Sequence, residues 1–252
     1  MKYAVVTGTS KGLGASIAKL LMEASCHVIG IARNNNQSLT DAELPGTYSY
    51  YQADLSDLSQ TENIFKSIID DVKEKGDMES LLLVQNAALV TPIEQAGKQN
   101  TGQLVNHVHV NLLSPMIITN LWLDSFRDSN FPLVIANVTS GAANRSVYGW
   151  NAYGSTKAGL DRYTATVALE QDELNTGNKV FLFDPSIMDT EMQGEIRSAD
   201  KTQFADVEKF KAYKTNNSLR DTDVVAQVLV DRLLDADNIK NGEYYSVKDI
   251  FK

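Results

Sequence analysis

A tyrosine and a lysine four positions apart, Tyr153 and Lys157, open a run of helical character that continues through Ala158, Gly159 and Leu160. Residues at that spacing share one helix face, so the Lys157 ammonium can lie beside the Tyr153 phenol. A free tyrosine has a pKa of about 10 and is a poor acid or base at neutral pH. A neighbouring cation lowers it by roughly one to three pH units, towards the range useful in proton transfer. Ser140 follows the strand-like run Leu133 to Val138, thirteen positions before Tyr153. The carboxyl end of a parallel strand borders the ligand crevice of α/β proteins. A hydroxyl there can bind a carbonyl oxygen and stabilise the charge that develops on it. Alone, a serine at a strand end reads as a turn or cap residue; its distance from Tyr153 favours the chemical role. Tyr244 and Lys248 have the same spacing as the first pair, but they fall in a predicted strand. Four strand residues span roughly 13 Å, so this second pair is not expected to act together.

The start of the chain carries a binding element. Directly after the strand-like run Tyr3 to Thr7 comes Gly8-Thr9-Ser10-Lys11-Gly12-Leu13-Gly14, and then a helical stretch. Glycines at this spacing permit a tight turn, close approach of the backbone to a pyrophosphate, and close packing of the next helix. That helix presents free N–H groups and the positive end of its dipole. Gly8, Ser10, Lys11, Gly12, Leu13 and Gly14 are therefore candidate dinucleotide contacts. An NAD site calls for Asp or Glu at the end of the second strand, where it binds the ribose 2′-hydroxyl. Here Val28-Ile29-Gly30-Ile31 ends in Ala32 and Arg33, and Lys11 lies inside the glycine turn. Two cations and no carboxylate suit the 2′-phosphate of NADPH, which an Arg grips in a bidentate way. NADPH is the expected cofactor.

Both elements need a scaffold, and the hydrophobic pattern supplies one. Short apolar runs rich in β-branched residues recur at Tyr3 to Thr7, His27 to Ile31, Tyr48 to Ala53, Leu81 to Gln85, Leu133 to Val138, Val180 to Phe183 and Tyr244 to Val247. Between most of them the spacing is helical: Ile17, Leu20, Leu21 and Ala24 share a face, as do Ile64, Ile68 and Val72, then Val224, Val228 and Leu233-Leu234. Continuous apolar strands with intervening helices predict an α/β, doubly wound Rossmann fold, a seven-stranded parallel sheet with helices on both faces. No linker, repeat or low-complexity block interrupts the alternation, so one domain over 1–252 is expected. The exception is 189–219, charged and polar with scattered Met192, Phe204, Phe210 and Tyr213. A long, weakly periodic insertion after a strand end reads as a substrate lid, with a plain surface helix pair as the alternative.

Composition narrows the partners. A formal net charge of -9 argues against nucleic acid or an anionic membrane. No apolar run approaches the ~20 residues needed to span a bilayer. Met1-Lys2 leads straight into the first strand, so no signal peptide is expected, and the Asn137-Val138-Thr139 sequon is discounted. The lone cysteine, Cys26, rules out an internal disulfide and suits a reducing compartment, and a cytoplasmic location is expected. Cys26 is read as a buried thiol. His27, His107 and His109 have no partners at metal-ligand spacing, so they are read as packing or surface residues and no metal is expected.

Taken in order, Thr7-Gly8-x-x-x-Gly12-x-Gly14, Asp54-Leu55, Asn86-Ala87, Asn111, Ser140, Tyr153-x-x-x-Lys157 and Pro185 to Thr190 resemble the short-chain dehydrogenase/reductase family, in its single-domain branch. The resemblance implies that Asp54 and Leu55 hold the adenine and that Asn86 and Ala87 line the adenosine side. It implies that Lys157 also binds the nicotinamide ribose, and that Asn111 positions a water relaying protons to Lys157. Ile187 and Thr190 would contact the carboxamide and diphosphate. Ala88 and Ser186 stand where the family usually has glycine, which puts fine cofactor geometry in question but removes no reacting group. Gly149 to Tyr153, Val138 to Ala142 and Met188 to Gln193 resemble bacterial benzil reductases, which are similar to sepiapterin reductases. Both reduce one carbonyl of a 1,2-dicarbonyl beside a flat ring. Tyr148, Trp150, Met188 and Met192 are candidate walls for such a ring, with core or subunit packing as the alternative.

The leading expectation is thus an NADPH-dependent carbonyl reductase acting on a small-molecule ketone. Two alternatives stand beside it: a non-catalytic dinucleotide-sensing regulator, and an NAD-dependent alcohol dehydrogenase. The first typically loses Ser140 or the Tyr-Lys pair, all present here; Ala32, Lys11 and Arg33 speak against the second. Family members commonly pair through the helices holding Asn111 and Tyr153, so the resemblance implies a homodimer or homotetramer.

Overall fold

The computed structural model describes residues 1–76 and 78–251. Seven parallel strands form one sheet: β1 (Lys2–Thr7), β2 (His27–Ala32), β3 (Thr47–Gln52), β4 (Ser80–Gln85), β5 (Leu133–Val138), β6 (Lys179–Asp184) and β7 (Tyr244–Ser246), in spatial order β3-β2-β1-β4-β5-β6-β7. The order reverses between β1 and β4, and the crevice beyond the carboxyl ends of those two strands is where such sheets bind ligands.

The helices are α1 (Gly12–Glu23), α2 (Gln37–Thr40), α3 (Leu58–Glu74), α4 (Thr101–Val108), α5 (Ser114–Ser125), α6 (Asn151–Glu173), α7 (Glu191–Ser198), α8 (Val207–Thr215), α9 (Thr222–Leu234) and α10 (Val247–Ile250). Period-2 alternation along the strands divides the core. Ala4, Val6, Leu82, Val84, Phe181 and Phe183 meet α1 and α9 on one face, through Ile17, Leu21, Leu229 and Leu233. Val5, Ile29, Leu81, Leu83 and Ile135 meet α3, α5 and α6 on the other, through Phe65, Trp122 and Val167. Both faces are covered, so the inner strands are mostly apolar, and the buried Asn137 of β5 is paired with Gln85 and Thr164. Edge strand β3 is half exposed.

Three local readings shift. On α1, Ile17 and Leu21 are buried while Leu20 and Ala24 are half-buried. On α9 the buried stripe runs through Val225, Ala226, Leu229, Val230 and Leu233, leaving Val224 48% exposed. Adjacent apolar residues along this helix allow two overlapping stripes, and packing against α1 selects the second. At the carboxyl end, Val247 begins α10 instead of ending β7: the Ser246 hydroxyl accepts from the Lys248 N–H and caps the new turn.

Candidate active site

The glycine turn after β1 is built for close approach. Gly8 adopts φ +79, where a side chain is strained, and a Cβ on Gly14 would stand 2.2 Å from the Gly8 carbonyl oxygen. The turn is fixed from both sides. Asn86, just past β4, donates through Nδ2 to the Thr7 carbonyl at 3.0 Å, and the Thr7 hydroxyl accepts from the Asn86 and Ala87 N–H groups. Asn36 donates to the Ser10 carbonyl at 3.2 Å, and the Tyr48 hydroxyl meets the Thr9 hydroxyl at 2.9 Å. Thr7 is marked in the sequence as the first residue of the glycine motif, whereas Asn36, in the connection after β2, and Tyr48, within β3, carry no site signal.

Helix α1 starts at this turn with no side-chain cap: the residue before it, Lys11, offers no acceptor. Its first-turn N–H groups face the switch-point crevice, an arrangement that fits an anionic diphosphate. Lys11 forms an ion pair with Glu191 across the crevice, and the Thr190 methyl lies 3.6 Å from where a Gly12 Cβ would be. The Arg33 side chain is exposed just beyond β2 and has no partner among the described residues. This uncapped turn with two cations beside it fits a phosphorylated dinucleotide. Asp54 is exposed beyond β3, its Oδ1 accepting from the Ser56 N–H, whereas the Leu55 side chain is buried in the core with Phe65. Ala88 is half-buried with an ordinary backbone, so its methyl introduces no strain. Ser186 holds φ +63, the left-handed conformation that favours glycine; its N–H donates to Asp184 and its hydroxyl accepts from Arg220.

Beyond β5 the candidate reacting groups converge. Ser140 caps a short turn by accepting from the Ala142 N–H, and its hydroxyl also reaches the Tyr153 phenol. Tyr153 and Lys157 sit one turn apart near the start of α6, both buried. Lys157 Nζ donates to the Val138 carbonyl at 2.7 Å and stands 6.0 Å from the Tyr153 ring centre. Burial, not the lysine, dominates the phenol: its pKa is pushed up to about 12, with Asp184 adding and Ser140 opposing. Burial thus outweighs the lowering expected from Lys157, whose ammonium is turned to a backbone carbonyl. Burial also brings Lys157 down to about 8, against the pull of Asp161. Asp161, one further turn along, accepts from the Thr139 hydroxyl and is pushed up to about 6 by burial. The i+4 spacing from Lys157 was the available signal for Asp161. Tyr244 and Lys248 prove to have a supporting place: Tyr244 donates to Asp184 at 3.0 Å, and Lys248 Nζ lies near Gly141.

Asn111 lies in a π-turn, His109–Leu113, between α4 and α5. Its Oδ1 accepts from the Leu89 N–H at 2.7 Å and its Nδ2 donates to the Leu89 carbonyl at 2.8 Å. Pro115, four residues on, lacks the N–H that would close an α-turn onto the Asn111 carbonyl. The His107 ring, set aside as packing, bonds to the Asn111 side chain.

The segment 189–219 folds as α7 and α8, a helix pair packed over Tyr153 through its own apolar residues. Phe204 stacks on Trp150 at 4.8 Å, and Phe210 meets the same indole edge-on at 5.3 Å. Trp150 and Met192 join Tyr153 in this cluster, whereas Met188 packs towards α1 and α9 and Tyr148 is 53% exposed. Gly149 permits the contact, since a Cβ there would stand 2.1 Å from the Gln203 carbonyl oxygen. The backbone of Ile187 and Asp189 bonds to Arg220, pinning both ends of the segment together.

Known proteins resemble this chain over nearly its whole length. A benzil reductase ((S)-benzoin forming) of Bacillus cereus is 35% identical over 253 residues, covering 99% of this chain and all of the relative. A protein of the same description from Bacillus subtilis is 33% identical, with 99% of each chain covered. The crystal structure of the KRED1-Pglu enzyme superposes with a TM-score of 0.82 at 26% identity, covering 97% of this chain and 100% of that one. The profile described as short chain dehydrogenase matches residues 2–201, and the chain belongs to that family of oxidoreductases.

Proposed function

We propose that the protein is an NADPH-dependent carbonyl reductase whose substrate is one carbonyl of an aromatic 1,2-dicarbonyl. The observation that carries the reading is a buried Tyr153 phenol, touched by the Ser140 hydroxyl and roofed by Trp150, Phe204 and Phe210. The Bacillus relatives, described as benzil reductases, support the substrate class. Lys11 and the free guanidinium of Arg33 support NADPH over NADH.

A reduced nicotinamide dinucleotide, when bound, supplies the hydride. Gly8, Ser10, Lys11, Gly12, Leu13 and Gly14 would hold its phosphates with Arg33; Asp54, Leu55, Asn86 and Ala87 would flank its adenosine end, Ile187 and Thr190 would contact its carboxamide and diphosphate, and Lys157 its nicotinamide ribose. Ser140 binds the substrate oxygen and orients the carbonyl. Tyr153, protonated at neutral pH because burial keeps its pKa near 12, gives that oxygen its proton. Lys157, whose pKa of about 8 lies close to neutrality, returns a proton to the phenol. The Asn111 carbonyl holds the water that resupplies Lys157. Trp150 and Met192 wall the substrate ring, with Met188 and Tyr148 at its margins, and the 189–219 segment excludes water. We place the enzyme in the cytoplasm as a single domain that assembles as a homodimer or homotetramer.

The test is NADPH oxidation at 340 nm with benzil, 1-phenyl-1,2-propanedione, diacetyl, sepiapterin and a simple aldehyde. NADH and Tyr153→Phe serve as controls. Turnover of the aromatic diketones with NADPH, at least ~100-fold lower in the variant, is the expected result. Tight NADPH binding with no turnover of any carbonyl would replace this reading with a dinucleotide sensor.

A further inference from the structure

His107 is fully buried, belongs to no part of the mechanism above, and contacts three pieces of the site at once. Its Nδ1 lies 2.6 Å from the Thr91 carbonyl oxygen, which can only accept, so Nδ1 carries a proton. Its Nε2 lies 3.0 Å from Asn111 Nδ2 and 3.1 Å from the Thr156 hydroxyl, whose one hydrogen it shares with the Ala152 and Tyr153 carbonyls at 3.0 and 3.1 Å. The Leu89 backbone fixes the orientation of the Asn111 amide, because its N–H must face Oδ1 and its carbonyl Nδ2. The second Nδ2 hydrogen therefore points at Nε2, which must be a bare acceptor. Two independent constraints thus select one species, the neutral imidazole with its proton on Nδ1.

We propose that His107 is a positioning residue: as a neutral Nδ1–H imidazole, it ties the Asn111 π-turn to α6 at Thr156 and holds the Asn111 carbonyl in register with Lys157. The catalytic part of this inference rests on the function proposed above. Thr156 stands directly before Lys157, and the imidazole edge packs on the Tyr153 ring at 6.2 Å. A proton on Nε2 would set two donors against each other at Asn111. It would also place a second cation in a buried site already holding one. The titratable groups facing the ring from α6 are Tyr153 and Lys157; the loop after β4 presents only the Thr91 carbonyl. Burial keeps the imidazole below its ordinary range and the Lys157 charge reinforces this, while the Thr91 and Ala152 carbonyls oppose it.

Two variants and one spectrum test the lock in the NADPH-bound enzyme. His107→Asn keeps a donor near the Nδ1 position and deletes the Nε2 acceptor; His107→Gln carries an amide oxygen out to where Nε2 stood. With benzil as substrate, kcat falls about 10- to 100-fold in His107→Asn while KM moves less than about threefold. In His107→Gln, kcat recovers to within about threefold of the wild type. In the wild type, nitrogen-15 imidazole spectra show an unprotonated Nε2 near neutral pH. Wild-type kcat in a folded His107→Asn, or a proton on Nε2 near neutral pH, would overturn the proposal. Should the wild type reduce no carbonyl, the functional reading fails, and the spectrum still decides whether the lock exists.

Discussion

Replacing Lys157 with Met removes a charge from a site that resists one. The ammonium is 3% exposed, and burial brings its pKa from 10.5 down to about 8. At about 1.4 kcal/mol per tenfold change in proton affinity, keeping the proton in the folded state costs about 3 kcal/mol near neutral pH. Between pH 8 and 10.5 the folded chain sheds this proton while the unfolded chain keeps it. The unfolded state then binds more protons, so stability rises with pH, by about 2 kcal/mol from about pH 8 to about 10. The Met variant has no such group and should lack this rise. It also strands the Val138 carbonyl, at a cost of about 1–3 kcal/mol, but that loss is independent of pH. Asp161, with a pKa near 6, stays ionised throughout the window and contributes equally to both proteins. Urea unfolding of both proteins, followed by circular dichroism at about pH 8, 9 and 10, gives the difference in unfolding free energy. The wild type should gain about 2 kcal/mol on the variant across the series. A difference that stays constant to within about half a kcal/mol would show that Lys157 keeps its ordinary proton affinity, refuting the argument from burial.

Ser186→Val places a β-branched residue at φ +63 and deletes the Arg220 contact; urea unfolding should show a loss of about 2 kcal/mol. Phe204→Ala empties a fully buried position on Trp150, so the 189–219 segment should detach before the sheet melts, with a red-shifted tryptophan emission as the sign. Unchanged emission would mean that the segment is held by other contacts. Lys11→Ala combined with Arg33→Ala should raise KM for NADPH more than about tenfold while leaving that for NADH within about threefold. Equal effects on both cofactors would assign the two cations to surface solvation.

The scaffold was legible because each inner strand is covered on both faces and so is predominantly apolar, while the connecting helices repeat at 3.6 residues. Where two apolar stripes overlap, as along α9, periodicity alone cannot choose, and Val224 was placed on the wrong side. The candidate reacting groups were picked out by spacing along α6 and by position at strand ends. Their electrostatics were not. The direction in which Lys157 Nζ points depends on the Val138 carbonyl, nineteen residues away and on another element. The same limit explains His107. Its place four residues before Asn111 was visible, but the bonds that give it a role close only when the loop after β4 and helix α6 meet around it.

One physical cause orders the proton affinities across the site. Burial disfavours charge on any group, so it raises the Tyr153 phenol to about 12 and lowers the Lys157 ammonium to about 8. The two move towards opposite duties. A phenol that holds its proton firmly at neutral pH is always loaded as an acid, and it releases that proton only to a strongly basic oxygen such as a forming alkoxide. A lysine brought close to neutrality can give a proton and recover it without a large penalty in either direction. Asp161 keeps Lys157 from falling further, since its carboxylate favours the ammonium, while its own ionisation is sustained by the Thr139 hydroxyl beside Ser140. On the proposed reading, Asp161→Asn removes this support, and the alkaline limb of the pH–kcat profile should move to lower pH because Lys157 then loses its proton sooner. A limb that stays in place in Asp161→Asn would separate the carboxylate from the relay and leave burial alone to set the lysine.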